Sequence, residues 1–386
     1  MKILNFDKAA TTTLTPRVKK AMKQALKYEG NPSVNCIEGN KARDIIDSSR
    51  ATIAKILNTS EDNIFFTSGG TEGNNQALMS MAIEGIKQNK KHIIVSAIEH
   101  HAVLKMAEWL SEYMGFTISY VQPSKNFQFG WGAIDAEQIK SLITPQTIGV
   151  SVMCVNNETG IINDITWIAK MCSHHNLLLH VDAVQSISAD GLFKIFNLSD
   201  IAYLTVSAHK FHGPKGVGFI YTNNPDILHP YLHGGQQEYG KRAGTENLLG
   251  IVGMTEAFRE VRDDLFKSTV NYVIANHYLT QELQTIPEIT INFTDYHRTP
   301  AIISCFIKGV DATTIQMELA NKGICVSTGS ACTTNDLAPS HVLTSMGFTP
   351  EEANHIIRLS IDKYTTTKQI DKLIAELKLI IKTYKK

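Results

Sequence analysis

Along this chain, almost unbroken apolar runs repeatedly stop at polar, chemically capable residues and then give way to helical patterns. Residues 63–67 lead to Ser68-Gly69-Gly70-Thr71, and residues 92–96 lead to Glu99-His100. Residues 147–153 lead to Asn156-Asn157-Glu158, residues 177–181 stop at Asp182, and residues 200–206 stop at Ser207-Ala208-His209-Lys210. A strand that is apolar throughout is buried on both faces. Such strands, alternating with helices, build a mostly parallel sheet covered on both sides. The sequence therefore predicts an α/β fold. Ligands in such sheets bind beyond the carboxyl ends of the strands, so the polar residues closing each run are expected to converge.

The last of these junctions gathers a hydroxyl, an imidazole and an amine. The Gly/Pro turn at 212–216 then feeds another strand. A lysine held there is poorly solvated, which lowers its pKa and frees the amine for carbonyl chemistry; taken alone, Lys210 reads as a surface lysine beside a turn, and only the rest of the chain overturns that. Gly69 and Gly70 let the backbone turn tightly into a helix that Thr71 is expected to open. The amide N–H groups at such a start form a ready phosphate site, although a plain strand-to-helix turn has the same sequence. Asp182 at a strand end suits either a helix cap or a buried charge partner. A Schiff-base lysine, a phosphate-binding turn and an acid at a neighbouring strand end together are what pyridoxal 5'-phosphate requires. Lys210 would hold the aldehyde carbon, Asp182 would keep the ring nitrogen protonated, and His100 would lie on the ring face.

A helix start at Thr15-Pro16 and a long helical pattern from Leu248 divide the 386 residues. The expected division is a large domain at 16–261 and a smaller α+β domain made of 1–15 and 262–386. Lys+Arg and Asp+Glu both number 37, so no long-range field favours nucleic acid. No apolar run approaches the roughly 20 residues needed to span a bilayer, and the start lacks the apolar core of a signal peptide. Six widely scattered cysteines point to reduced thiols in a cytoplasmic setting rather than a disulfide framework or a metal site. Cys154, Cys172, Cys305 and Cys325 read as inert buried hydrophobes. Cys332, in the small polar run 328–335, reads as reactive.

In this combination the chain resembles the fold-type I PLP-dependent transferases of the class V aminotransferase group, in particular the cysteine desulfurases of the IscS/NifS-like branch. The resemblance rests on Asp7-Lys8-Ala9-Ala10-Thr11-Thr12, Thr67-Ser68-Gly69-Gly70-Thr71-Glu72, Glu99-His100, Asn156-Asn157-Glu158, His180-Val181-Asp182, Ser207-Ala208-His209-Lys210 and Ser330-Ala331-Cys332. It implies a large domain with a mostly parallel seven-stranded sheet. It also implies phosphate contacts from Gly70, Thr71, Ser207 and His209, a ring-hydroxyl contact from Gln185, and Asn157 beside ring and substrate. Thr245 would reach the phosphate of a neighbouring subunit, which makes the protein a homodimer. Asn31 and Arg358 would clamp the carboxylate of L-cysteine, a geometry that suits a guanidinium fork. Lys210 would move the α-proton, Cys332 would take the sulfur as a persulfide, and His100 would shuttle a proton at the thiol. The sulfur would pass to an acceptor protein, for iron–sulfur cluster assembly, tRNA thiolation or another delivery route.

Cys36, Gln236 and Asp362 depart from the family pattern, standing where histidine, glycine and glycine are usual. The sequence also ends soon after its last helical pattern, without the scaffold-docking tail of the housekeeping relatives, so the acceptor stays open. Another class V enzyme, such as a selenocysteine lyase or an aminotransferase, is the alternative on the same fold. A non-catalytic relative would keep the fold without turnover.

Overall fold

The computed structural model describes residues 3–124, 132–187, 197–294, 297–328 and 339–384. In chain order the elements are β1 (Leu4–Asn5), α1 (Pro16–Ala25), α2 (Ile37–Leu57), β2 (Ile64–Thr67), α3 (Gly70–Lys87), β3 (His92–Ser96), α4 (His101–Met114) and β4 (Thr117–Val121). Next come α5 (Ala136–Ser141), β5 (Thr147–Ser151), α6 (Ile165–His174), β6 (Leu178–Asp182), β7 (Tyr203–Ser207), β8 (Gly218–Thr222), α7 (Leu248–Asp263) and α8 (Leu265–Gln284). The remainder is β9 (Ile289–Ile291), β10 (Ile302–Ile307), α9 (Ala312–Asn321), β11 (Ile324–Cys325), β12 (Ser327–Thr328), α10 (His341–Ser345), α11 (Pro350–Ala353), β13 (Ile356–Ser360) and α12 (Thr367–Tyr384).

The main sheet has seven strands in the order β2-β8-β7-β6-β5-β3-β4. Only β8 runs against the rest: it pairs antiparallel with both β7 and β2, while the other ladders are parallel. Period-two alternation sends Ile64, Phe66, Ile94, Val150, Leu204 and Val206 into one core, against α1, α2, α6 and α7. Phe65, Ile93, Val95, Ile148 and Tyr203 enter the other, against α3 and α4. Burial on both faces is why these strands carry no polar alternation.

A further core is built from β9, β10, β13, α8, α9 and α12, and it also takes in Leu4, Phe6 and Ala9 from the chain start. Phe293, Val342 and Met346 instead pack into the core of the main sheet. The smaller sheet has the order β12-β13-β10-β9, and β1 pairs with β11 alone. Residues 324–327, whose apolar run reads as one strand in the sequence, are therefore split between two sheets around Val326. Thr15 caps α1 by accepting the Val18 amide, as the Thr-Pro pair foretold. The cap of α3 is Gly69 rather than a residue later in the motif: its φ of 148° is open to glycine, and Gly70 begins the helix.

One sequence expectation is corrected. Cys325 is exposed rather than buried, because β11 is only two residues long and turns Ile324 inward and Cys325 outward. Among the described residues no helix is long and apolar enough to cross a membrane, and no group of His, Cys, Asp or Glu forms a metal cluster.

Candidate active site

The strand ends converge on a cavity of about 330 Å³. The first turn of α3 supplies Gly70 and Thr71, and the segments after β3 and β5 supply His100, Met153 and Asn157. From the ends of β6 and β7 come Asp182, Gln185, Ser207, His209 and Lys210, while Arg358 and Ser327 close it from the smaller sheet. Volume and polar lining are those of a small-molecule site at the carboxyl edge of a parallel sheet.

Asp182 is buried, and its carboxylate accepts from Asn74 Nδ2 at 2.6 Å and from the Val184 amide at 2.9 Å. Asn74 Oδ1 is buried and has no hydrogen-bond partner. Asn74 was absent from the sequence-based site, although it lies one helical turn beyond Gly70 and Thr71, and that period would have found it. Lys210 follows β7 in a single 3₁₀ turn, and its Nζ donates to the carbonyls of Ala9 at 2.7 Å and Ala10 at 3.0 Å. Gln185 Nε2 also donates to Ala9 O, at 2.9 Å. The sequence signalled the 7–12 run only as a motif; here it gives Lys210 two backbone carbonyls and brings the Asp7 carboxylate to the cavity.

His100 is the N-cap of α4, and its Nδ1 accepts the Ala102 amide at 3.1 Å. The neutral ring therefore carries its proton on Nε2. Burial lowers the His100 pKa and the neighbouring Lys210 lowers it further, against the pull of Asp182. His209 is pushed down to about 4, by burial first and then by Lys210 and Lys215. Glu99 is fully buried and accepts the Met153 amide at 2.6 Å; burial, with Asp182 adding, raises its pKa well above the usual carboxylate range.

Arg358 is buried on β13 and donates from Nη1 to Asn157 O at 2.8 Å and from Nη2 to Asp7 Oδ1 at 2.7 Å. Asn31 is exposed, accepts from the Ser33 amide at 2.9 Å and does not line the cavity. Thr245 is exposed as well, in a separate cleft with Ser68, Arg242 and Asn247. Cys332 lies outside the described residues.

The departures from the family pattern have local partners. Cys36 Sγ caps α2 by accepting the Gly39 amide at 3.3 Å. Buried Asp362 pairs with Lys8 at 2.7 Å and accepts the Tyr364 amide at 3.0 Å. The Gln236 carbonyl accepts the Gly240 amide at 3.2 Å, inside the 236–240 turn.

Residues 4–373 match the aminotransferase class-V family. The chain belongs to that family. It is 37% identical over 380 residues to a protein named cysteine desulfurase IscS from Dictyoglomus turgidum, covering 97% of this chain and 94% of that one. A protein of the same name from Clostridium botulinum is 37% identical over 382 residues, covering 98% and 94%. Among solved structures, a NifS-like protein superposes with a TM-score of 0.89 at 32% identity, covering 99% of this chain and 100% of that one. A structure described as SspA in complex with cysteine gives 0.80 at 30% identity, covering 95% and 100%. The fold is thus that of the fold-type I PLP-dependent enzymes.

Pyridoxal 5'-phosphate is the family's cofactor, and the cavity fits it. The α3 N-terminus has no side-chain cap, which leaves its first amides available to an anion. A Cβ on Gly70 would come within 2.8 Å of Val184 Cγ2, so the helix start is packed against the segment that follows Asp182. Asp182, fixed by two donors at a strand end, is the acid a pyridinium nitrogen needs.

Proposed function

We propose that this chain is a PLP-dependent cysteine desulfurase that converts L-cysteine to L-alanine and leaves the sulfur on Cys332 as a persulfide. The observation that carries the reading is the one cavity lined by Lys210, Asp182 and the α3 N-terminus together with Arg358 and Asn157. When bound, the cofactor supplies an aldehyde for amines and a ring that withdraws electrons. Gly70, Thr71, Ser207 and His209 would hold its phosphate, Asp182 its ring nitrogen, and Gln185 its ring hydroxyl. Arg358 and Asn157 bind the substrate's α-carboxylate; Asn31 and Thr245 are at present outside the cavity and reach a site only from a second copy or after movement. Lys210 Nζ, resting on two carbonyls, is the base that moves the α-proton. His100 would lie against the cofactor ring, with its Nε2–H free of the helix cap made by Nδ1.

In the sulfur step the substrate's C–S bond breaks and an S–S bond to Cys332 forms. A proton replaces sulfur on the departing alanine, so cysteine plus thiol gives alanine plus persulfide with no external oxidant. A dithiol reductant then releases the sulfur as sulfide. The protein works as a homodimer, with Thr245 completing the neighbour's phosphate site, and an acceptor protein takes the sulfur onward.

The test is the purified protein with L-cysteine and a dithiol. Equal amounts of alanine and sulfide are expected, with both products lost in Cys332→Ser while the cofactor absorbance stays. Lys210→Ala is expected to abolish both products and alter that absorbance. Alanine formation undiminished in Cys332→Ser would contradict the reading.

A further inference from the structure

Asn31 and Thr245 lie outside the cavity, yet a single side chain joins the turns that carry them. Gln237 Nε2 donates to Ser33 Oγ at 3.1 Å, just beyond Asn31, and Gln237 Oε1 accepts the Gly244 amide at 3.0 Å, just before Thr245. A backbone amide can only donate, which fixes Oε1 on the Gly244 side and leaves Nε2 for Ser33. Asn31 Oδ1 accepts the Ser33 amide at 2.9 Å and Asn31 O accepts the Val34 amide at 3.0 Å, so Asn31 and Ser33 share one tight turn. That turn is tied to α2, where Arg43 donates to Pro32 O from Nε at 2.9 Å and from Nη2 at 2.6 Å. The Gln237 segment is tied to the same helix two turns further on: buried Arg50 holds both oxygens of Glu238, at 2.8 and 2.7 Å. This pair secures Glu238 and Tyr239 at φ of 48° and 54°, a region that non-glycine residues keep only when fixed by their surroundings. Arg242 anchors the far side on α3, donating to Glu72 at 2.9 Å. Asn31 and Thr245 are therefore presented together. Val34 and Ile37 beside the first turn and Tyr239 beside the second are exposed, an apolar fringe of the kind a partner surface covers.

We propose that Gln237 is a positioning residue: it joins the Asn31 turn and the Thr245 turn into one arm that a second copy of this chain receives at its cavity. Each cavity then takes the carboxylate contact of Asn31 and the phosphate contact of Thr245 from the same neighbour. This rests on the amino-acid substrate and the homodimer proposed above. Moving the arm into its own cavity would break the buried Arg50–Glu238 pair and strand two charges. Docking against a neighbour leaves that pair, the Arg242–Glu72 pair and both Gln237 bonds in place.

The test compares holoenzyme of wild type, Gln237→Ala, Gln237→Glu and Ser33→Ala, reading KM for L-cysteine beside the rate of cofactor loss on dialysis. Gln237→Ala is expected to raise both about three- to tenfold while kcat stays within about threefold, the size of one hydrogen bond lost at each turn. Gln237→Glu restores both, because a carboxylate still accepts the Gly244 amide and the Ser33 hydroxyl can turn to donate. Ser33→Ala raises KM alone. Mixed dimers of differently tagged chains then give the direction of the contact. A Lys210→Ala chain with an intact arm, paired with a chain carrying Asn31→Ala and Thr245→Ala, is expected to show wild-type KM and cofactor retention at its working site. Placing all three substitutions in one chain beside a wild-type chain is expected to impair that site roughly tenfold or more. The opposite pattern in the mixed dimers overturns the proposal. So does a Gln237→Ala protein that shifts neither readout or only one, or a Gln237→Glu protein no better than alanine. If Gln237→Ala does not fold, an unchanged KM in Ser33→Ala overturns it instead. Chains that form no mixed dimer refute the homodimer, and the proposal with it. A wild type that makes no alanine would refute the desulfurase reading alone, since dialysis and absorbance titration with L-cysteine still report on the arm.

Discussion

His100 sits where its Nδ1 accepts the Ala102 amide, so it caps α4 while its ring faces the cavity. Two duties are joined in one side chain, and asparagine separates them, being a good N-cap with no imidazole. His100→Asn is expected to keep the thermal midpoint within a few degrees and retain cofactor absorbance, while kcat falls roughly 10²- to 10⁴-fold if the imidazole moves a proton. Alanine release measured beside a thermal scan distinguishes this from a merely structural loss. The residues that announced themselves in the sequence, Lys210, Asp182 and the Gly70-Thr71 turn, did so because each follows an apolar strand. Asn74 and Met153 lay inside a helix or an apolar run where such residues read as packing, and Glu99 was visible only as part of a motif. Only the fold reveals that Asn74 and Glu99 are buried beside Asp182.

At the scale of elements, the start of α3 is the most constrained junction. A methyl on Gly70 would meet Val184 Cγ2 at 2.8 Å, and one on Gly73 would meet Thr205 Cγ2 at 2.6 Å. Gly70→Ala is therefore expected to push α3 away from the β6 end and weaken cofactor retention at least tenfold, with a stability loss of about 1–3 kcal/mol from overpacking. Cofactor release on dialysis and urea denaturation measure the two effects. Unchanged retention would mean that the helix start does not hold the phosphate. Strands β2, β3, β5, β6 and β7 were legible within a residue or three because burial on both faces leaves an unbroken apolar signature. β4 escaped notice: at the sheet edge its Thr117, Ser119 and Tyr120 stay partly or fully exposed, and the run reads as loop. The break between α7 and α8 at Asp264 was also hidden, since helical spacing runs on through it.

Across the whole molecule, one extended segment stitches the parts together. β1 pairs with β11, Asp7 holds Arg358, Lys8 pairs with Asp362, Ala9 and Ala10 receive Lys210, and Thr12 accepts the His212 amide at 2.7 Å. No periodicity in residues 4–12 could foretell this, because an extended strap bonded through its backbone leaves little pattern in side chains. Stability should carry the signature of buried neutral histidines. His180, between Ser151 Oγ at 2.8 Å and Thr205 Oγ1 at 3.3 Å, is held by burial down to about 3. The unfolded chain protonates this ring below about 6.5 and the folded one does not. Stability from His180 is thus intact above that pH and falls by about 1.4 kcal/mol per unit as pH drops toward 3. His209 acts in the same direction. The raised Glu158 carboxyl works oppositely: its extra folded-state proton is lost as pH climbs toward 7. Thermal scans of wild type and His180→Gln between about pH 6.5 and pH 4.5 should show the variant losing part of the acid slope. Parallel slopes would place that histidine outside the balance.

The central claim is that sulfur leaves cysteine at this cavity and lodges on one thiol. Mass spectrometry of the peptide containing Cys332, after a single turnover with L-cysteine and no reductant, tests it most directly. The account predicts an added sulfur atom on that peptide, matched by one alanine per active site, and none on the peptides of Cys36 or Cys325. Alanine formed with the added sulfur elsewhere, or with residue 332 unmodified, would contradict it.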